Sequence, residues 1–207
     1  MTTFNSGPDS GPHPPAPVFL GTSACPITAL NAAELLLDAV AIGPGDMLLD
    51  LATGLGHAAG LASHRGAIAT GIDPSEPLLD QARRHYANAL YYPGNPESLV
   101  FASGFFTAVI YHRGLQQTPS PTALAEAFRV LMPGGRYAAL WLAPRRQPDS
   151  GEISQGAPFT PGQAIPGNVG DDFTIAGFTE VLCTAVALGG TGVADWAAFR
   201  ISAVKPR

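Results

Sequence analysis

The stretch MLLDLATGLGHAAG, residues 47–60, carries an apolar run that ends in an acid, Asp50, and then two glycines separated by one residue. Glycine lets a backbone take positive φ and lets a ligand approach it closely. A helical pattern starts at the second glycine, so its free N–H groups point at whatever sits over the turn. The stretch therefore reads as the first strand–turn–helix unit of an α/β sheet, where ligands bind at the carboxyl edge of the strands.

The pattern repeats outward from this unit. Strand-like runs lie at 47–52, 68–72, 89–92, 105–111 and 136–143. Helix-like runs lie at 56–64, 75–86 and 120–131, with a short turn or helix near 96–100. Ser75 and Ser120 suit N-caps, and Pro121 suits a first helical turn. Ahead of the unit, Leu30, Ala33, Leu37 and Val40 recur at helical spacing, so 27–42 is expected to be an amphipathic helix stopped by the Gly-Pro-Gly at 43–45. Apolar strands alternating with helices mean βαβ units and a sheet covered on both faces. At the end, two strand-like runs flank a Gly-rich turn and read as an antiparallel hairpin.

Two segments fall outside this pattern. Residues 1–26 are rich in Pro, Gly and Ser and read as a flexible arm. In 144–170, ten of 27 residues are Pro or Gly, an irregular loop long enough to suggest a lid. The expected organisation is an arm over 1–26 and one domain over 27–207.

Composition narrows the function. The 207 residues carry a net charge of −5, and one lysine, Lys205, accompanies ten arginines. No basic stripe forms, which argues against nucleic acid and against an anionic membrane surface. No uninterrupted apolar segment approaches membrane-spanning length, and the N-terminus lacks the layout of a signal peptide. Cys25 and Cys183 are far apart in sequence, as free thiols of a cytoplasmic protein would be. An oligomer is neither implied nor excluded.

Asp73 closes the second strand, 19 residues after Gly54, where a carboxylate can accept both hydroxyls of a ribose. GLGHAA also satisfies the dinucleotide fingerprint G-x-G-x-x-G/A. Asp50 decides between ligands: four residues before Gly54, it repels a pyrophosphate and suits an ammonium.

At this point the sequence resembles the class I S-adenosylmethionine-dependent methyltransferases. The resemblance rests on LLDLATGLGHAA, ATGIDPSEPLLDQARRHY and EAFRVLMPGGRYAALW, with AGFTEV and FRISAVKP near the end. It implies a Rossmann-like, doubly wound, seven-stranded sheet, mostly parallel with an antiparallel last strand. It implies S-adenosylmethionine as cofactor and S-adenosylhomocysteine as product. Asp50, Ala52, Gly54 and Gly56 would cradle the methionine part. Asp73 would hold the ribose, with Pro74 and Ser75 beside the adenine and Asn95 accepting from its amino group. Thr107 and Gln117 stand where the family commonly has an Asp and a His, on what reads as the substrate side.

Candidate bases are His112 and Tyr111, which end the fourth strand, and His57, which opens the helix after the turn; the first two read also as a pocket wall, and His57 as lining the pocket or facing solvent. Arg113 reads as a partner for an acidic substrate or as a structural residue. His64 and His85 read as surface residues, and His13 lies in the arm. No metal-binding cluster is evident, since Asp171 and Asp172 are adjacent and do not converge on a cation. The expected function is methyl transfer to a small or mid-sized acceptor through oxygen or nitrogen. The alternatives are a non-methylating enzyme on the same fold, such as a cyclase, a nicotinamide-dependent oxidoreductase, and an idle binding module.

Overall fold

The computed structural model describes residues 29–111, 119–144, 169–186 and 196–207. A seven-stranded sheet runs through it in the order β3-β2-β1-β4-β5-β7-β6. The elements, in chain order, are α1 (Ala29–Ala39), β1 (Met47–Leu51), α2 (His57–His64), β2 (Ile68–Asp73), α3 (Glu76–His85), β3 (Leu90–Pro93), β4 (Phe106–Tyr111), α4 (Pro121–Val130), β5 (Leu131–Pro144), α5 (Val169–Ile175), β6 (Thr179–Val186) and β7 (Trp196–Val204). All pairings from β3 across to β5 are parallel, while β7 is antiparallel to both neighbours, β5 and β6. The expected doubly wound sheet with an antiparallel last strand is thus present, and the last two strands pair as the hairpin reading required.

Two apolar layers sandwich the sheet. On one face α1, α2 and α3 bury Leu36, Leu37, Ala59 and Leu79 against Leu48, Ala108 and Ile110. On the other, α4 and α5 bury Leu124, Ala127 and Phe173 against Leu49, Val109 and Tyr137. Strands β1 and β4 are apolar on both sides because both are covered, as central parallel strands must be. Such two-sided burial explains why the strands are legible as continuous apolar runs.

Two details differ from expectation, and one decides between two readings. The helix after Ser120 ends at Val130, and β5 begins immediately at Leu131, with a register shift opposite Phe106/Ala108. Of the turn or helix expected near 96–100, the turn is present, closed by an isolated bridge Asn95–Ser98. A short helix, α5, follows the loop and was not signalled, because seven residues are too few to show a periodicity. Ser120 caps α4 by accepting from Ala123 N at 3.2 Å, whereas Ser75 stands at the N-cap of α3 without a side-chain cap bond.

The arm 1–26, the loop within 144–170 apart from its ends, and the Gly-rich turn before β7 lie outside the described residues. So do His13, Cys25, His112, Arg113 and Gln117.

Candidate functional site

The site forms where β1 and β2 end side by side. The chain leaves β1 through a turn in which Ala52, Gly54 and Gly56 all take left-handed backbone, with φ of 57°, 54° and 78°. The two glycines serve different ends. A Cβ on Gly56 would stand 2.6 Å from Tyr91 Oη and 2.8 Å from Ala82 Cβ, so packing alone forbids a side chain there. A Cβ on Gly54 would meet nothing within 4 Å; that position faces open space. Ala52 adopts the same region despite its Cβ, a local strain on the order of 1 kcal/mol.

Two carboxylates flank this turn. Asp73, at the end of β2, is buried and accepts from Gly54 N at 3.0 Å through Oδ2 and from Ser75 N at 2.9 Å through Oδ1. Each oxygen keeps a second acceptor position. Asp50 is 2 % exposed and accepts from Thr53 Oγ1 at 2.6 Å. Burial pushes its pKa up to about 7; the Asp73 charge adds to the rise, and bonds from Thr53 and Ala59 N–H offset part of it. A buried acid of this kind favours a cation that would hold it ionised.

The other expected cofactor residues sit around the same edge. Pro74 is exposed and Ser75 half-buried at the start of α3. Asn95 lies just beyond β3, exposed, with Oδ1 accepting from Glu97 N at 3.0 Å. Tyr111 is buried at the carboxyl end of β4, level with Leu51 of β1. His57 begins α2 and is largely buried, its Nδ1 2.8 Å from Tyr86 Oη and the two rings edge to face. His64 and His85 are exposed.

Thr107 is placed far from this edge, which corrects its substrate-side reading. Its Oγ1 accepts from Met47 N at 2.9 Å and donates to Asp46 Oδ1 at 2.8 Å, at the opposite end of the sheet. Arg136 also pairs with Asp46 there.

Four contributors escaped the sequence reading. Thr53 clamps Asp50, and Gly71 leaves room for it, since a Cβ on Gly71 would lie 2.6 Å from Thr53 Oγ1. Tyr91 donates to Gly56 O at 3.3 Å, and burial, then the Asp50 charge, raises its pKa above the ordinary phenol range. Tyr86 partners His57. Only Thr53 carried a signal, lying between the acid and the first glycine; the tyrosines arrive from α3 and β3 by tertiary contact. Among the described residues no group of three or more potential metal ligands converges, and no helix is long and apolar enough to cross a membrane.

Comparison with known proteins gives a consistent picture. Residues 49–139 match the family model described as a methyltransferase domain. A demethylmenaquinone methyltransferase from Beutenbergia cavernae is 34% identical over 101 residues, 48% of this chain and 42% of that protein. The chain spans about half the length of the curated relatives it matches. Among solved structures, a geranyl diphosphate methyltransferase in complex with S-adenosylmethionine aligns with a TM-score of 0.65 and 17% identity, covering 85% of each chain. The cyclase SpnF aligns with a TM-score of 0.65 and 21% identity, covering 86% of this chain and 82% of that one. At such identities these structural matches speak to the fold.

Proposed function

We propose that this chain, whose residues 49–139 match a methyltransferase-domain model, is a class I S-adenosylmethionine-dependent methyltransferase that transfers a methyl group from that cofactor to oxygen or nitrogen of a small or mid-sized acceptor. The observation that carries the reading is the pair Asp50 and Asp73 on either side of a turn whose Gly54 opens onto free space. The arrangement fits the cofactor's chemistry. Asp50 takes the ammonium, and Ala52, Gly54 and Gly56 lay the methionine part along the backbone. Asp73 uses its remaining acceptor positions for the ribose hydroxyls. Pro74, Ser75 and Asn95 border the adenine.

When bound, the cofactor supplies an activated methyl group on a sulfonium. The chain's own share is then alignment and exclusion of water. Tyr111 ends β4 level with Leu51 of β1, and it or His112, the next residue in the sequence, would take a proton from an acceptor that holds one at neutral pH. The likeness to a demethylmenaquinone methyltransferase supports methyl transfer as the reaction. A cytoplasmic enzyme of small-molecule metabolism fits this reading. A non-methylating reaction such as cyclisation is the second reading, favoured by the shared fold with SpnF alone.

The test is calorimetry with S-adenosylhomocysteine and with NAD on the wild type and on Asp73→Ala. The expected outcome is binding of the first ligand only, weakened in the variant by about 2–4 kcal/mol, two charge-assisted bonds. Because Asp73 also holds Gly54 N and Ser75 N, the variant's melting temperature is measured alongside. Equal binding of S-adenosylhomocysteine in a folded variant, or preference for NAD, refutes the assignment. Transfer of a labelled methyl group to product then separates methylation from cyclisation.

A further inference from the structure

Thr53 is held at three points. Its N–H donates to Ile72 O at 2.9 Å, its carbonyl accepts from Gly56 N at 2.9 Å, and its hydroxyl donates to Asp50 Oδ2 at 2.6 Å. The first bond ties the turn to β2, and the second closes it ahead of α2. The third goes to a carboxyl group almost wholly removed from water. The neighbouring strand makes room for this side chain. Gly71 stands opposite Asp50 in the β1–β2 pairing, and a Cβ on Gly71 would lie 2.6 Å from Thr53 Oγ1, 2.8 Å from Cγ2 and 2.9 Å from Cβ. The hydroxyl therefore keeps its place beside Asp50 because the facing strand carries no side chain there.

The surroundings of Asp50 pull its proton both ways. Burial favours the neutral acid most strongly; the Thr53 hydroxyl and then the Ala59 N–H of α2 favour the carboxylate, and the charge of Asp73, at the end of β2, opposes it. Tyr91, from β3, is a phenol held neutral, its pKa raised by burial and then by Asp50 itself. His57, at the start of α2, is a weakened base, its pKa lowered by burial. β4 places Ile110 beside Asp50. Among the described residues, Thr53 is thus the side chain that favours the ionised form.

We propose that Thr53 is a positioning residue that sets the pH range in which the site holds its ligand's ammonium, acting on Asp50 through its hydroxyl from a place that Gly71 keeps open. The inference rests on Asp50 serving the ammonium of S-adenosylmethionine. Donation to Oδ2 fixes the orientation of the carboxyl group and favours its charged form. Without that bond Asp50 keeps its proton to higher pH, and an ammonium meets a neutral acid. Gly71 serves the same end from β2, since any side chain there displaces the hydroxyl.

The decisive experiments compare wild type with Thr53→Val, Thr53→Ser and Gly71→Ala, with melting temperatures showing that each is folded. Carbon-13 titration of the ligand-free protein follows the Asp50 carboxyl resonance, assigned by its loss in Asp50→Asn. Thr53→Val is expected to titrate at higher pH than wild type. Thr53→Ser, which keeps the donor, should titrate as wild type does, and Gly71→Ala should move toward Thr53→Val. Calorimetry between pH 5.5 and 7.5 then uses S-adenosylhomocysteine and its deaminated analogue, which keeps the carboxylate and lacks the amine. Thr53→Val should lose roughly 3–30-fold affinity for the first probe at pH 6, about one charge-assisted bond, and the loss should shrink as pH rises. The analogue should bind both proteins alike across that range. An Asp50 titration that stays put in folded Thr53→Val, or equal losses for the two probes, overturns the proposal and leaves the cofactor reading intact. A folded wild type that binds neither probe overturns both.

Discussion

Asp50 is the residue on which the chemistry of this site turns. Its pKa, pushed up to about 7 by burial, lies far above the ordinary value of about 3.9 that it has in an unfolded chain. Between those values the folded state holds a proton that the unfolded state releases. The group's contribution to stability is therefore complete below about pH 4 and lost as pH rises through about 7. Binding runs the other way, because an ammonium needs the ionised carboxylate. Affinity for S-adenosylhomocysteine should rise up to about tenfold per pH unit below 7. It should fall again above about pH 8, where an α-amino group loses its proton. Calorimetry in buffers of different ionisation enthalpy should detect proton release near pH 6. A flat profile between pH 5.5 and 7.5 would dissociate Asp50 from the ammonium. Asp50→Asn should flatten the pH dependence of stability over the same window.

At the scale of elements, two contacts separate structure from function. Gly60 lies inside α2, where alanine would ordinarily stabilise a helix by about 0.5–1 kcal/mol. Here its Cβ would strike the Tyr86 ring, so Gly60→Ala should destabilise by about 1–3 kcal/mol through overpacking, read by urea denaturation. A stabilised variant would mean that α2 and α3 separate more readily than their packing indicates. At the opposite edge of the sheet, Thr107 ties the start of β1 to Asp46, which Arg136 also engages. Thr107→Val should cost about 1–2 kcal/mol of stability and leave cofactor affinity unchanged. A loss of affinity without a loss of stability would return Thr107 to the substrate side.

For the molecule as a whole, the candidate cofactor residues come from the end of β1, the turn into α2, the end of β2 and the start of α3, so a ligand held by them ties several elements together. A ligand that binds only the folded state stabilises it by RT ln(1 + [L]/Kd). S-adenosylhomocysteine at 100 times its Kd should add about 2.7 kcal/mol, raising Tm by roughly 5–10 °C for a domain of this size. NAD at the same concentration should leave Tm where it was. A matching rise with NAD, or none with S-adenosylhomocysteine, would count against a nucleoside–amino-acid ligand.

Apart from α5, the succession of strands and helices along the chain followed from the sequence alone, since central parallel strands are apolar on both faces and helices are apolar on one. The turn at 50–56 and the acid at 73 were legible for a related reason: backbone conformation and charge at a sheet edge depend on a few consecutive residues. Position 107 marks the limit of that reasoning. Its type differed from the family's pattern, but only the paired strands placed it at the edge remote from the turn. Tyr86 and Tyr91 carried no local signal, because their roles arise from α3 and β3 packing against α2 and the turn. The pKa of Asp50 is likewise a tertiary property, since it depends on how completely two layers of helices remove that carboxyl group from water. Local patterns thus decided which residues reach the carboxyl edge; long-range packing decided which of them are clamped and which are desolvated.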